Sequence, residues 1–171
     1  MISRNSKLQS GKLPHEMLAR ILADESVGDP RVIVGPAVGW DAAVLDFGDR
    51  YLIAKTDPIT YATDEIGWFA VHINANDIAC MGGTPRWFLA SILVPGRDSD
   101  EALVERIFSD IRKGCAEIGI NLVGGHTEIT QELTRPVVAG VMLGEVERDQ
   151  LITPDGVKAG DVLVLTKGIP L

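Results

Sequence analysis

The sequence has little cysteine, no excess of basic residues and no long apolar run. Its two cysteines, Cys80 and Cys115, show neither a disulfide nor a zinc spacing, so we expect small buried side chains in a reducing compartment. The formal net charge of −8 argues against nucleic acid and anionic membrane surfaces as partners. No apolar run approaches the roughly 20 residues of a membrane span. Residues 1–12 also lack the apolar centre of a signal peptide, so we expect a cytoplasmic protein.

The common glycine-rich nucleotide loops are absent as well. No segment has the spacing of a Walker loop, G-x-x-x-x-G-K-[ST], or of a dinucleotide-binding loop, G-x-G-x-x-G. The acidic composition is still compatible with nucleotide binding, because carboxylates can hold Mg²⁺ and the metal can hold the phosphates. Any nucleotide must therefore be bound by a different arrangement of residues.

Apolar spacing predicts three helices, one opened by Pro14, one over residues 65–81 and one capped by Ser99. The predicted strands are 32–34, 42–47, 51–56, 87–94, 120–123, 136–146 and 162–166, of which the second and third form a hairpin. This order predicts an α+β fold, an α/β sandwich with helices on one face of a mixed sheet. We expect a flexible arm over residues 1–12, one domain over 13–160 and the start of a truncated second domain over 161–171.

Asp77 is the sharpest single signal for a site. It lies four residues after Ile73 and three before Cys80, on a helix face that we expect to be buried. A lone buried carboxylate is costly, so Asp77 is expected to be neutralised, paired or metal-bound, with Asn74 and Asn76 beside it. The alternative is that the helix ends early and Asp77 is a solvated acid in its last turn.

Two further acids stand at the ends of predicted strands. Asp41 precedes an apolar strand, and Asp57 follows one, immediately before Pro58. Site residues of α/β-type domains collect at strand ends, although acids in ordinary turns are the alternative for both positions.

Residues 124–128, GGHTE, follow a predicted strand. Gly124 and Gly125 would let backbone amides approach a phosphate closely. His126 could be a ligand, a hydrogen-bond donor or a general acid and base, and Thr127 and Glu128 could contact metal or substrate. The alternative is a plain turn.

Taken in order, these segments resemble one protein superfamily. They are DAAVL at residues 41–45, TD at 56–57, NDIACMGGTP at 76–85, GGHT at 124–127 and GDVLVLTK at 160–167. The set resembles the N-terminal domain shared by aminoimidazole ribonucleotide synthetase, the HypE-type hydrogenase-maturation protein, thiamine-monophosphate kinase and selenophosphate synthetase. The resemblance extends from about residue 12 to the end of the chain.

The resemblance implies an ATP-binding domain that forms a homodimer, in which the two sheets make a β-barrel across a twofold axis. ATP and Mg²⁺ would lie at that interface, with Asp41, Asp57 and Asp77 as the metal-binding acids. His126 and Glu128 would be catalytic. Nucleotide contacts are expected from Asp41, Thr56, Asp57, Asn76, Asp77, Gly124, Gly125 and Thr127.

The implied chemistry is ATP-dependent activation of an amide or formyl oxygen, followed by loss of phosphate. Residues 76–85 and the loop of Gly124 and Gly125 after its strand favour the HypE-type branch, or an uncharacterised relative of it. The HypE-type branch converts a carboxamide on its own C-terminal cysteine into a thiocyanate for nickel–iron hydrogenase maturation. A carbamoyltransferase is then an expected partner, and this fragment alone is expected to be inactive. The alternatives are a thiamine-monophosphate kinase-like phosphotransferase and a non-catalytic nucleotide-binding or dimerisation module. His126 departs from the acid expected in the kinase and synthetase branches, and Trp40 stands where a second acid or another polar residue is common.

Overall fold

Three α-helices and six strands lie within the residues that the computed structural model describes, which are 8–25, 27–62, 64–97 and 99–165. In chain order the elements are α1 (His15–Leu22), β1 (Val32–Val34), β2 (Ala43–Asp46), β3 (Arg50–Ile59), α2 (Ile66–Cys80), β4 (Thr84–Pro95), α3 (Glu101–Ile118), β5 (Asn121–Thr130), β6 (Val137–Glu147) and a 3₁₀ turn, Pro154–Gly156. Within these ranges, no helix is both long and apolar enough to cross a membrane. Residues 1–7 of the predicted arm and 166–171 of the predicted second domain lie outside the described residues.

The six strands form one mixed sheet in the order β1-β2-β3-β6-β4-β5. Neighbouring strands are antiparallel except β4 and β5, which are parallel and are connected through α3. β6 is the last of these six strands in sequence but lies in the middle of the sheet, paired with β3 on one edge and with β4 on the other. The predicted mixed sheet and the predicted hairpin, β2–β3, are confirmed.

The helices α2 and α3 cover one face of this sheet. Burial alternates along β4 and β6, as expected for strands with one covered face, and Phe88, Val138 and Met142 are fully buried. The two helices approach each other closely because each contributes a glycine to their contact, Gly67 from α2 and Gly114 from α3. The predicted placement of helices on one face therefore holds for α2 and α3.

The prediction that residues 124–128 follow the strand as a loop is wrong, because they belong to β5, which continues past residue 123, and pair with β4 throughout. Adjacent glycines favour a turn locally, but the ladder with β4 outweighs that preference. The last predicted strand is also wrong in its described part. Residues 162–165 have no regular structure, and Thr166 is outside the described residues.

The predicted end of β3 at Asp57 is too early, since the strand continues through Pro58 to Ile59. Proline removes a backbone donor and is tolerated where a strand edge is free. β2 pairs with β3 only as far as Ala54, so that edge of β3 is free beside Pro58.

The buried face of α2 differs from the predicted one. It passes through Ala70, Asn74 and Ile78, whereas Asp77 lies at its margin and Cys80 is exposed. The residues of α2 are apolar on almost every side, so the sequence does not single out one stripe for burial. The expectation that Cys80 is buried is therefore wrong.

The predictions for α3 need one correction. Its cap is Asp100 rather than Ser99, because the Asp100 carboxylate accepts a hydrogen bond of 2.8 Å from the backbone N of Leu103. Cys115 is buried on its inner face, as predicted, and Gly119 ends the helix in the left-handed conformation.

Candidate functional site

Lys55 lies at the centre of the acids that the sequence singled out. Its Nζ atom is 2.7 Å from Oδ2 of Asp77 and 3.7 Å from Oδ2 of Asp57. The Lys55 side chain is 15% exposed, and those of Asp77 and Asp57 are 22% and 40% exposed. One cation therefore joins β3 to α2 at the edge of the helix–sheet interface.

The period of the strand and a buried asparagine bring these groups together. Alternate residues of β3 share a face, so Lys55 and Asp57 lie on the same side as Ile53, which is fully buried. On α2, Asn74 is fully buried, and its Nδ2 donates to the carbonyl oxygen of Asp57 at 3.2 Å. This bond holds α2 against β3 and places Asp77, three residues further on, beside Lys55.

The surrounding acids raise the pKa of Lys55 above its ordinary value. Burial is the largest single effect, and by itself it would lower the pKa of an ammonium group. The hydrogen bond to Asp77, with the charges of Asp77, Asp57 and Asp41, outweighs burial. Lys55 is therefore positively charged at neutral pH.

Asp41 completes the set at longer range. It is exposed, precedes β2 by two residues and acts on Lys55 through its charge. Across the described ranges, no group of three or more His, Cys, Asp or Glu side chains is arranged to hold a metal ion. The structure thus brings Asp57 and Asp77 to one lysine, with the charge of Asp41 acting on it from further away, and the role of the three acids as metal ligands stays a prediction.

Two other predicted nucleotide contacts, Thr56 and Asn76, are neighbours of this cluster in sequence, although Thr56 lies on the face of β3 opposite to Lys55 and Asp57. Thr56 is exposed, and its Oγ1 donates to the carbonyl oxygen of Gly140 at 2.8 Å, which leaves the oxygen lone pairs available to a ligand. Asn76 is exposed on α2 beside Asp77. Nothing in their surroundings tests the predicted contacts.

A second polar group lies on β5. Nε2 of His126 is 3.0 Å from Oε2 of Glu128, and Oγ1 of Thr130 donates to Oε1 of Glu128 at 2.9 Å. The hydrogen bond with His126, and then that with Thr130, lowers the pKa of Glu128. Both predicted catalytic side chains are exposed, so a ligand can reach them.

Gly124, Gly125 and Thr127 line a groove between β5 and α3, together with Phe108. Gly125 has a φ of 151°, and a Cβ atom there would collide with the backbone of Ala90 on β4. The packing of the sheet therefore requires glycine at this position whether or not a phosphate is bound. The predicted phosphate contact gains no support from the glycine itself.

Within one chain, the acidic cluster around Lys55 lies far from the polar group formed by His126 and Glu128 on β5. Asp57 and Gly125 lie in one row of the sheet, but β6 and β4 stand between their strands. Three strand spacings amount to about 14 Å. A single copy therefore does not bring the predicted catalytic pair to the acids.

Both groups fall within a segment that matches a known family. Residues 39–146, which contain every predicted site residue, match the N-terminal domain of AIR synthase related protein. The chain belongs to the AIR synthase related protein family.

Curated relatives of this AIR synthase-related domain carry three different names. The phosphoribosylformylglycinamidine cyclo-ligase of Methanocaldococcus jannaschii is 33% identical over 133 residues, which cover 72% of this chain and 37% of that protein. The selenide, water dikinase of Rhizobium meliloti is 33% identical over 164 residues, 92% of this chain and 46% of that protein. The thiamine-monophosphate kinase of Pyrococcus horikoshii is 33% identical over 138 residues, which cover 76% of this chain and 43% of that protein. The chain spans less than half the length of each relative.

Solved structures share the fold of the domain. AaThiL complexed with AMPPCP and TMP matches with a TM-score of 0.59 at 23% identity, over 78% of this chain and 41% of that one. HypE in complex with ATP matches with a TM-score of 0.58 at 23% identity, over 82% and 43%. The HypE–HypF complex matches with a TM-score of 0.53 at 22% identity, over 62% and 36%. At these identities the likeness establishes the fold.

Sequence reasoning missed Lys55, the residue that organises the AIR synthase-related domain's acidic cluster. A signal was present, because Lys55 falls two residues after Ile53 and two before Asp57, on the inward side of an apolar strand. A lysine at such a position needs a partner of opposite charge. The strand pattern could therefore have identified it.

Proposed function

We propose that this domain binds Mg-ATP, with Asp41, Asp57 and Asp77 as its metal-binding acids, as part of a longer ATP-dependent enzyme. The observation that carries the proposal is that carboxylates from β3 and α2, Asp57 and Asp77, meet at Lys55, while the charge of Asp41 acts on this lysine from the segment before β2. Such convergence is unfavourable unless a positive charge compensates it. Two solved proteins with this fold, AaThiL and HypE, are complexed with AMPPCP and with ATP.

The residues present fit Mg²⁺ by their chemistry. Mg²⁺ takes oxygen ligands and is usually bound through one or two carboxylates and the phosphates of a substrate. Asp57 and Asp77 offer two carboxylates beside each other, each with part of its surface open to solvent. A bound Mg²⁺ would neutralise charge on the phosphates, and the protein would hold them in position.

Mg-ATP affinity is expected to fall at least about tenfold in Asp57→Asn and in Asp77→Asn, because each change removes one full charge from the ligand set of a hard cation. Isothermal titration calorimetry with ATP, in Mg²⁺ and in chelator, measures this. The matched control is Asp149→Asn, which removes the same charge from an exposed turn after β6. If both variants fold and their Mg-ATP affinity is unchanged, Asp57 and Asp77 take no part in binding Mg-ATP.

We propose that the whole protein is cytoplasmic and uses ATP to activate an amide or similar oxygen. The proposed reaction is a HypE-type dehydration of a carboxamide, and the proposed partner is a carbamoyltransferase. His126 and Glu128 would be catalytic, since a histidine hydrogen-bonded to a carboxylate can accept and release a proton. Gly124, Gly125 and Thr127 would contact the phosphates.

Thiamine-monophosphate kinase-like phosphotransfer is the second candidate, favoured by the 33% identity to the Pyrococcus horikoshii kinase. An assay of the full-length protein with ATP and thiamine monophosphate separates the two. Phosphorylated product would identify a kinase. Mg-ATP binding by the full-length protein without turnover of either substrate would favour a nucleotide-binding or dimerisation module.

We further propose that the open face of the sheet is the homodimer interface, where two sheets form a β-barrel. The helices α2 and α3 cover the opposite face. The open face presents apolar side chains from three adjacent strands, Leu52, Leu89, Leu93, Val141 and Leu143. A second copy would remove this apolar area from water.

Val141→Glu is expected to convert the dimer into a monomer. Val141 is 37% exposed and lies between Thr56 and Leu89 on this face, where a carboxylate would be buried without a partner. Sedimentation velocity measures the mass in solution. Ile152→Glu, at an exposed apolar residue outside the sheet, is the control and should leave the mass unchanged. A Val141→Glu protein that remains dimeric would place the interface elsewhere.

A further inference from the structure

We propose that Lys55 is a tethered cation that keeps free divalent metal away from Asp57 and Asp77. It would release these carboxylates only to a metal–nucleotide complex, whose phosphates then accept its ammonium group. This inference rests on the proposed function and adds to it a residue that selects the form in which the metal enters.

The geometry sets Lys55 in competition with a metal ion. Its Nζ lies within 2.7 Å of Oδ2 of Asp77 and 3.7 Å of Oδ2 of Asp57, so both carboxylates already have a positive charge beside them. A divalent ion ligated by the same two carboxylates would sit within a few ångströms of the ammonium group. Repulsion between the two charges makes joint occupancy unfavourable unless Lys55 moves.

Lys55 has little freedom to leave without a new partner. Its side chain is 15% exposed and lies on the inward face of β3, so most of it is surrounded by protein. The ion pair Lys113–Glu65 provides a contrast, since these side chains are 54% and 56% exposed and water can solvate either of them. Displacing Lys55 by metal alone would therefore leave a poorly hydrated ammonium group without an anion.

A nucleotide supplies the missing anion. Lysine binds phosphate as a point charge, and its long side chain lets the ammonium group turn towards a ligand while the backbone stays in β3. Metal binding and nucleotide binding then favour each other, and such coupling is reciprocal. The ligand that this arrangement selects is a phosphate chain already carrying its divalent cation.

The test measures Mn²⁺ affinity without nucleotide, by electron paramagnetic resonance of the free ion, in the full 171-residue chain. Lys55→Met is expected to bind Mn²⁺ at least about tenfold more tightly than the wild type, because the substitution removes a positive charge that would repel the metal ion at its carboxylate ligands. Lys55→Arg keeps the charge and should bind as weakly as the wild type. Lys113→Met removes the same charge from an exposed ion pair and should change nothing.

A second measurement adds AMPPCP, an ATP analogue. It should raise the Mn²⁺ affinity of the wild type by a larger factor than that of Lys55→Met, whose site no longer excludes free metal. If Lys55→Met does not fold by circular dichroism, Lys55→Gln serves in its place and keeps a hydrogen-bond donor for Asp77.

The proposal is overturned if the neutral variant binds Mn²⁺ no more tightly than the wild type, or if AMPPCP raises both affinities equally. These outcomes differ from a failure of the proposed function. If Asp57→Asn and Asp77→Asn left Mg-ATP affinity unchanged, ATP binding at these acids would be refuted. A tighter Mn²⁺ affinity in Lys55→Met would still support exclusion of free metal by Lys55.

Discussion

Replacing Phe88 with alanine is expected to lower the free energy of unfolding by about 3–5 kcal/mol. Phe88 is fully buried between the sheet and α2, and its ring lies against Gly140 on β6. A Cβ atom at Gly140 would come within 2.6 Å of this ring, so the ring occupies the space that a side chain there would need. Removing the Phe88 ring leaves a cavity next to Asn74, which is itself fully buried. The closely packed surroundings can fill that cavity only in part.

A loss of this size is a large share of the roughly 5–15 kcal/mol that stabilises a domain. Urea unfolding followed by far-UV circular dichroism measures it. Phe47→Ala is the matched control, because Phe47 is 61% exposed and its loss should change stability by no more than about 0.5 kcal/mol. Equal effects of the two substitutions would mean that β4 does not present Phe88 to the core.

Gly67→Ala is expected to destabilise the domain by about 2 kcal/mol, although alanine inside a helix normally gains about 1 kcal/mol over glycine. A Cβ atom at Gly67 would overlap the carbonyl oxygen of Ile107 on α3. It would also lie 2.8 Å from Cγ1 of Ile111 and 2.9 Å from Cβ of Asp110. The carbonyl belongs to the helix backbone and cannot turn away, so α2 and α3 would have to separate.

Thermal unfolding of Gly67→Ala beside Gly28→Ala tests this contact. No atom lies within 4 Å of a Cβ built at Gly28, so alanine there should be neutral or slightly stabilising through the unfolded chain. A Gly67→Ala protein with a raised melting temperature would show that the two helices are further apart than described.

The elements with a clear period were predictable from sequence, and those without one were not. In α3 the apolar residues recur on one stripe, and Ile107, Ile111 and Cys115 from that stripe are buried. In α2, apolar residues surround the helix, so its buried face is ambiguous in the sequence. The predicted buried face passes through Asp77 and Cys80, whereas the buried polar residue in the structure is Asn74. Only the position of the sheet decides between such faces.

The strand at Gly124 and Gly125 was missed because its stability is not local. Two glycines next to each other are typical of a turn, and the ladder that holds them is formed with β4, on the far side of α3 in the sequence. The tight fit of Gly125 against the Ala90 backbone likewise depends on that neighbour.

The acids of the site could be found because each stands beside an apolar segment, where a carboxylate is conspicuous. The sequence did not single out Lys55 in this way, since a lysine in a strand is usually solvated. Its importance comes from Asp77, which reaches it from a different element of the fold. The metal role of the acids and the catalytic role of His126 and Glu128 remain predictions.

The central position of β6 has a consequence for how the chain assembles. The hairpin β2–β3 and the β4–α3–β5 unit each join neighbours in sequence and can form early, as local contacts do. Of the six described strands, β6, which unites them, is the last to leave the ribosome, and until it arrives the inner edges of β3 and β4 lack the partner that they have in the fold. During synthesis the nascent chain therefore exposes two unpaired edges until β6 covers them, and this interval is when the domain is most prone to pair with other chains.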